Sequence, residues 1–448
     1  MNQVKLSFSQ LLAIGLMLFA MFLGAGNIIF APVVGQMAGT NTWVAMLGFL
    51  ITGVGLVLLA IIALALAGGK IENLAGLVGH KFGIVFSVLL FLTLGPIYVI
   101  PRTTSVVFEI SILPSLQSMD FNKSMLLFLF SLIFIGLTVW LSMNPSKFVD
   151  RLGKIITPVF GILLVVLVGK SLITPMGSIG APQEPYLEGV FLKGFVQGYY
   201  TMDVLAAFIF GGIFIKAIAD KGIESKRDIS RTFIQAGVIA VIGLGLLQIS
   251  MAWIGATSVD AIGMQGNGGE VLAKSSYYLF GSVGLLMIGT VVFLTGLTTN
   301  IACLSSVADY FEKLYPSVTY KQWVYILALV SLIITNFGLA TILDLASPIL
   351  LLLYPIAISL IVLSFTHSWF KGYQPVYIGT IVGVGFVAVF DAVKEAGFGV
   401  SQINQILGFI PLFENGGGWI ITGVIGALIG LVISSYKSSP ERPLPVDK

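Results

Sequence analysis

Four places along an otherwise apolar chain carry residues whose types and spacing could do chemistry. The first is Gly24-Ala25-Gly26-Asn27, with Pro32 further on, inside the first long apolar run. Two glycines two residues apart each weaken a helix by roughly 1 kcal/mol relative to alanine. Inside a membrane the freed N–H and C=O groups need partners, so such a break must face protein or a wet cavity. There it offers a positive helix end and loose carbonyls to a small zwitterion and its cation. Small residues also serve a tight helix crossing, and for the glycines alone both readings stand. The second place is Gly198-Tyr199-Tyr200-Thr201-Met202-Asp203, followed by Gly211-Gly212. An aspartate within an apolar run is a functional-site hypothesis by default, against an ion pair or a capped helix end. The third is Arg102, in Gly95-Pro96-Ile97-Tyr98-Val99-Ile100-Pro101-Arg102-Thr103-Thr104, where two prolines bend the helix and free carbonyls. Glu109 follows on the same helical face. Either Arg102 lines an outer vestibule and gates it through an ion pair with a carboxylate, with Glu109 part of the gate, or it snorkels to the outer headgroups. The fourth is Thr295-Gly296-Leu297-Thr298-Thr299-Asn300, whose three threonines share one helical face. Their neutral oxygens suit Na⁺. The alternative is that each hydroxyl bonds back to the carbonyl four residues earlier.

The elements that position these residues follow from composition. Of 448 residues 57% are hydrophobic and 10% charged, a balance that bilayer solvation demands and a soluble domain does not. Apolar runs predict twelve spans, near 9–36, 43–67, 83–113, 125–142, 153–173, 189–216, 230–257, 276–307, 322–340, 346–366, 376–393 and 417–435. The glycine-bearing stretch 258–275 reads as a long outer loop, and 397–415 as a surface-lying piece. The first run is too long for a secretory signal and no A-x-A site follows it. Most Lys and Arg, among them Lys70, Lys81, Lys147, Arg151, Lys154, Arg227, Arg231, Lys313 and Lys321, fall on one side; Arg102, Lys123, Lys170, Lys193, Lys274 and Lys394 do not. The positive-inside rule then places both termini in the cytoplasm. The stretch 436–448 reads as a cytoplasmic tail, of which 438–448, with three prolines, is a short disordered end.

Several function classes are excluded. One cysteine, Cys303, rules out an internal disulfide and any cysteine-based metal site. The two histidines, His80 and His367, fall in predicted loops, and no G-x-S-x-G or H-E-x-x-H occurs, which argues against a membrane enzyme. A net charge of +3 is too small to suggest nucleic acid. No cofactor and no obligate protein partner is implied beyond the lipid bilayer. Two broken spans in one chain do not resemble the ring of a channel. The Asp203 break lies five spans after the first, and an odd number of spans per repeat makes the halves antiparallel. The expected layout is one membrane domain, 1–448, with a first repeat at 5–175, an inverted second repeat at 186–366 and two additional helices at 376–435.

The residues resemble a family. Leu23-Gly24-Ala25-Gly26-Asn27-Ile28-Ile29-Phe30, Gly95-Pro96 with Ile100-Pro101-Arg102-Thr103, and Gly198-Tyr199 with Thr201-Met202-Asp203 are similar to the bacterial branched-chain amino acid:cation symporters, the system II carriers. Phe293-Leu294, Leu297-Thr298-Thr299 and Ala308-Asp309-Tyr310-Phe311 fit the same pattern, and the resemblance runs from about 8 to 435. It implies an all-α fold of 12 transmembrane helices, the five-plus-five inverted repeat of the amino acid–polyamine–organocation superfamily with helices 1 and 6 discontinuous. It also implies uptake of leucine, isoleucine and valine across a bacterial cell membrane, driven by Na⁺ or in some relatives H⁺. A more distant similarity to sodium-coupled neurotransmitter-type symporters implies a substrate carboxylate near Gly24, Ala25 and Gly26, beside Asn27. It implies an amine at the carbonyls of Tyr200 and Thr201 and the side chain of Asp203. The carbonyls of Ala20, Leu23 and Thr295 and the hydroxyls of Thr298 and Thr299 would hold sodium. An aliphatic side chain would meet Phe22, Tyr199, Tyr200 and Met202.

Overall fold

A bilayer offers the backbone no hydrogen-bonding partner, so a chain this apolar must satisfy its N–H and C=O groups within helices. The computed structural model describes residues 7–116, 122–143, 157–219, 222–223 and 225–436, and among them there are helices and turns but no strand. In chain order the helices are α1 (Phe8–Phe22), α2 (Ala25–Ala38), α3 (Thr42–Leu50), α4 (Leu56–Leu66), α5 (Ile71–Ala75), α6 (His80–Leu92), α7 (Val99–Val107), α8 (Leu113–Leu116), α9 (Lys123–Ser142) and α10 (Thr157–Ile173). They continue as α11 (Val190–Gln197), α12 (Asp203–Ala219), α13 (Lys226–Ile262), α14 (Gly268–Phe280), α15 (Ser282–Leu314), α16 (Tyr320–Thr335), α17 (Leu339–Phe365), α18 (Gln374–Glu395), α19 (Val400–Leu407) and α20 (Gly418–Tyr436). Eight helical stretches among the described residues are long and apolar enough to cross a membrane, and Phe8–Phe22, Gly161–Ile173 and Tyr320–Thr335 are shorter apolar helices. The predicted tail, apart from Tyr436, and Lys147, Arg151 and Lys154 lie outside the described residues.

Between apolar helices in lipid, close packing replaces the hydrophobic driving force, and small residues let backbones meet. α2 crosses α13 in this way: Gly35 lies against the carbonyl of Ala252, and Gly255 against that of Pro32, so a Cβ at either would overlap main chain. α18 and α20 pack in the same way, with Gly379 on the Gly426 carbonyl and Gly383 on the Thr422 carbonyl. α15 is buried continuously from Thr295 to Ala308 and packs on α7, α9 and α16.

Two helices are broken where the sequence puts glycine and aspartate. α1 ends at Phe22 and α2 begins at Ala25, with Leu23 (φ −69°, ψ 80°) and Gly24 (φ −100°, ψ 176°) outside helical geometry. α11 passes into a 3₁₀ turn, Gly198–Thr201, and Met202 adopts a left-handed conformation (φ 66°) before α12 starts at Asp203. A third irregularity lies between α6 and α7, where the π-turn Thr93–Ile97 carries Gly95 at ψ −113°. The stretch 397–415 holds the short helix α19, whose Ile403 and Leu407 are buried.

One expectation needs correction. The stretch 258–275 is not a loop throughout: α14 occupies Gly268–Phe280, with the Asn267 side chain accepting from the Glu270 N–H. The run 276–307 is accordingly interrupted at Gly281 (φ 61°). Gly268 serves close approach, since it abuts the Ile29 carbonyl of α2, while Gly263 takes a positive φ (70°) where α13 ends.

Candidate functional site

The two breaks meet. Asn27, in the first turn of α2, donates through Nδ2 to the Phe22 carbonyl (2.8 Å) and to Oδ1 of Asp203 (3.0 Å). The first bond satisfies a carbonyl that the break had freed from α1, which also accepts from the Gly24 N–H at 2.7 Å. The second joins the start of α2 to the start of α12. Both side chains are buried, and Oδ2 of Asp203 has no hydrogen-bond partner among the described residues. Among the described residues no side chain caps the N-terminus of α2, where the N–H groups of Ala25 and Gly26 begin the first turn. A helix N-terminus carries about half a positive charge, which suits a carboxylate.

Gly26 explains why the second break can approach the first. A Cβ there would stand 3.0 Å from the Thr201 carbonyl and 3.1 Å from the Arg102 guanidinium. Gly24 is roomier: a Cβ would lie 3.4 Å from Oγ1 of Thr299, and its φ of −100° is open to any residue. Gly24 does not serve the backbone-on-backbone approach seen at Gly35, whereas Gly26 does serve a close approach, to the main chain of Thr201 in the second break.

Arg102 neither snorkels nor pairs with Glu109. It is 2% exposed, and its Nη1 donates to the Tyr200 carbonyl at 2.8 Å and to the Tyr98 hydroxyl at 3.3 Å. The rings of Tyr98 and Phe30 lie 4.7 and 5.8 Å from the guanidinium carbon. Desolvated cation–π contacts of this kind contribute about 2 kcal/mol. The Glu109 carboxylate faces Lys123 instead, at 3.7 Å. The Tyr200 carbonyl, expected to meet an amine, is therefore held by Arg102, and the Thr201 side chain turns back to the Gly198 carbonyl at 2.9 Å.

The threonines divide. Thr295 bonds back to the Val291 carbonyl at 2.9 Å, the ordinary helical alternative. Thr298 reaches the Thr295 carbonyl at 2.8 Å. Thr299 points across to α1, with its hydroxyl 3.5 Å from the Leu23 carbonyl. Ala20 is buried one turn earlier on α1. Neutral oxygens from two helices thus gather where α1 ends. No cluster of three or more His, Cys, Asp or Glu suited to a metal occurs among the described residues.

Aromatic side chains border the breaks. Phe22 tilts against Phe210 at 6.1 Å, Phe30 against Tyr200 at 5.6 Å, and Tyr199 stacks on Tyr354 at 4.6 Å. Met202 is buried. Sequence reasoning missed Gln248, whose Nε2 donates to Oδ1 of Asn27 at 2.6 Å. It also missed Phe30, Tyr98 and Tyr354. A lone amide in the middle of an apolar span was the available signal for Gln248.

Paired helix breaks within a helical membrane chain define a multi-pass transporter fold. Two solved structures share it at low sequence identity. One is Mhp1, a nucleobase-cation-symport-1 family transporter in a closed conformation with bromovinylhydantoin bound (TM-score 0.62, 15% identity, 98% of this chain and 95% of that one). The other is MhsT in complex with L-phenylalanine (TM-score 0.57, 17% identity, 94% and 98%). A family model described as branched-chain amino acid transport protein matches residues 7–437. Among curated relatives, the branched-chain amino acid permease BraB of Bacillus subtilis is 45% identical over 94% of this chain and 95% of its own. The permease BrnQ of the same organism is 40% identical over 97% and 99%. The branched-chain amino acid transport system 2 carrier protein of Pseudomonas aeruginosa is 36% identical over 97% and 98%. The chain belongs to the branched-chain amino acid transport protein family, and it is a transport protein rather than an enzyme.

Proposed function

We propose that this protein imports leucine, isoleucine and valine together with Na⁺ by alternating access. The observation that carries the proposal is the meeting of the two breaks through Asn27 and Asp203. The substrate carboxylate rests on the N–H groups of Ala25 and Gly26 at the start of α2. The ammonium meets the Thr201 carbonyl and Asp203. The aliphatic side chain lies among Phe22, Tyr199, Tyr200 and Met202. Such a pocket discriminates one methylene by only about 1–3 kcal/mol, so overlapping recognition of the three amino acids follows. The names of the curated relatives support this substrate class.

Sodium is held by the carbonyls of Ala20, Leu23 and Thr295 and the hydroxyls of Thr298 and Thr299. The residues fit a monovalent cation, since the gathered oxygens are neutral and come from α1 and α15, two elements that can part. Coupling arises when sodium binds the outward-open arrangement better than the inward-open one; only differential affinity does this. Arg102 gates the site by holding the Tyr200 carbonyl, and opening releases it. In this reading the chain forms 12 membrane helices as two inverted five-helix repeats plus α18 and α20, in the bacterial cell membrane with both termini cytoplasmic. Proton coupling is a second reading, favoured by the buried, unpartnered oxygen of Asp203.

The test is labelled-leucine uptake into proteoliposomes with Na⁺ and pH gradients imposed separately, and with valine and phenylalanine as competitors. Sodium-driven uptake inhibited by valine far more than by phenylalanine is expected. Uptake driven by the pH gradient alone selects proton coupling, and strong inhibition by phenylalanine alone overturns the substrate class.

A further inference from the structure

Asn27 can join the breaks in only one orientation of its amide. The Phe22 carbonyl and the Asp203 carboxylate are both acceptors, at 2.8 and 3.0 Å, so the amide nitrogen must face them and the oxygen must face away. What the oxygen meets is Nε2 of Gln248, at 2.6 Å, from the middle of α13. Gln248 is fully buried, as is Asn27. The second proton of Nε2 is directed to the Gly53 carbonyl at 3.5 Å. Gly53 lies in the π-turn Ile51–Gly55, and a Cβ there would stand 3.2 Å from both Nε2 and Oε1 of Gln248. The turn and the glycine together leave the amide its room. π-turns of this kind occur often at functional sites.

We infer that Gln248 is a positioning residue for transport: it donates to the Asn27 oxygen and thereby fixes the amide that holds the Phe22 carbonyl and Asp203. It touches neither substrate nor sodium in this account, and the role rests on the functional reading above. Without the donor, the buried Asn27 oxygen has no partner, and the cost of leaving it open weakens the arrangement that aligns Asp203 with the start of α2. The amide of Asn27 is the route by which Gln248 acts on the two breaks, so the two residues must be thermodynamically coupled.

The experiment is sodium-driven leucine uptake by purified full-length protein in proteoliposomes. The variants are Gln248→Met, Gln248→Leu, Gly53→Ala, Asn27→Ala and the double Asn27→Ala/Gln248→Met. The first two keep the volume and remove the donor. Each is expected to raise the leucine KM about tenfold, the size of one lost buried hydrogen bond, with kcat changed less. Gly53→Ala, which pushes the amide without altering it, shifts KM in the same direction by a smaller factor. The double variant is no worse than Asn27→Ala alone. A wild-type KM in either donor-removing variant overturns the role, and so does full additivity in the double, which marks Gln248 as packing only. If Gln248→Met does not purify as a monodisperse species, Gln248→Leu and Gly53→Ala give the same decision. Leucine uptake by the wild type that is unaffected in these variants overturns this role alone; no leucine uptake by the wild type overturns the functional reading and the role with it.

Discussion

The polar groups at the two breaks are satisfied unequally, and the inequality is informative. Asn27 uses both amide protons and its oxygen within the protein, while Asp203 has one oxygen engaged and one without a partner. A buried carboxylate oxygen left open costs free energy unless something arrives to meet it. An ammonium is the chemistry that suits it. On the opposite side of the first break, Thr299 stands 3.5 Å from the Leu23 carbonyl, longer than a normal hydrogen bond and loose enough to be exchanged for a shared cation. Thr298 and Thr299 are therefore the hydroxyls to remove. In proteoliposomes, Thr298→Ala or Thr299→Ala should raise the Na⁺ concentration for half-maximal leucine uptake about tenfold while leaving folding intact, as loss of one charge-assisted contact implies. Undiminished Na⁺ stimulation in both variants would remove the hydroxyls from the ion site. Thr295→Ser should be silent, because that side chain is turned to the Val291 carbonyl.

At the scale of elements, the two glycines of the first break are predicted to differ. Gly24 has an extended backbone that any residue adopts, and an added Cβ would make ordinary contact with Thr299. Gly26 faces the main chain of Thr201 at 3.0 Å, where the neighbour is backbone and cannot swing away. Gly24→Ala should retain most leucine uptake, and Gly26→Ala should lose at least tenfold, measured side by side at equal reconstitution. Equal losses would mean that the tight approach of α2 to the second break does not matter. The breaks themselves were legible in the sequence because glycines and a carboxylate are out of place in apolar spans. The partners were less so. Which carbonyl Arg102 meets depends on how α7 packs against the 3₁₀ turn of the second break, and no spacing rule within one helix reports that. Glu109 finds Lys123 across a connecting segment rather than Arg102 on its own helix. α14 was hidden because its capping asparagine and its glycines read equally well as a loop, although Gly268 is there to let α14 seat on Ile29.

For the whole molecule, the sequence pointed to membrane class and approximate spans through composition, and the family resemblance brought the two breaks to one substrate, but the side-chain partners within that pairing came only with the three-dimensional packing. α1 and α2 pack against α13 and α15, α2 also against the 3₁₀ turn of the second break and α1 against α12. Movement of α12 relative to α2 therefore acts on the Asn27–Asp203 contact, and movement of the second break relative to α7 acts on the Arg102–Tyr200 contact. A ligand bound there biases the two arrangements only by the difference in its contacts with each. The most direct measurement is equilibrium binding of labelled leucine to the purified protein, wild type against Asp203→Asn, in saturating Na⁺. The wild type should bind saturably and the variant at least tenfold more weakly, since a full negative charge facing the ammonium is gone. Equal dissociation constants for the two proteins would contradict a substrate site between the two helix breaks.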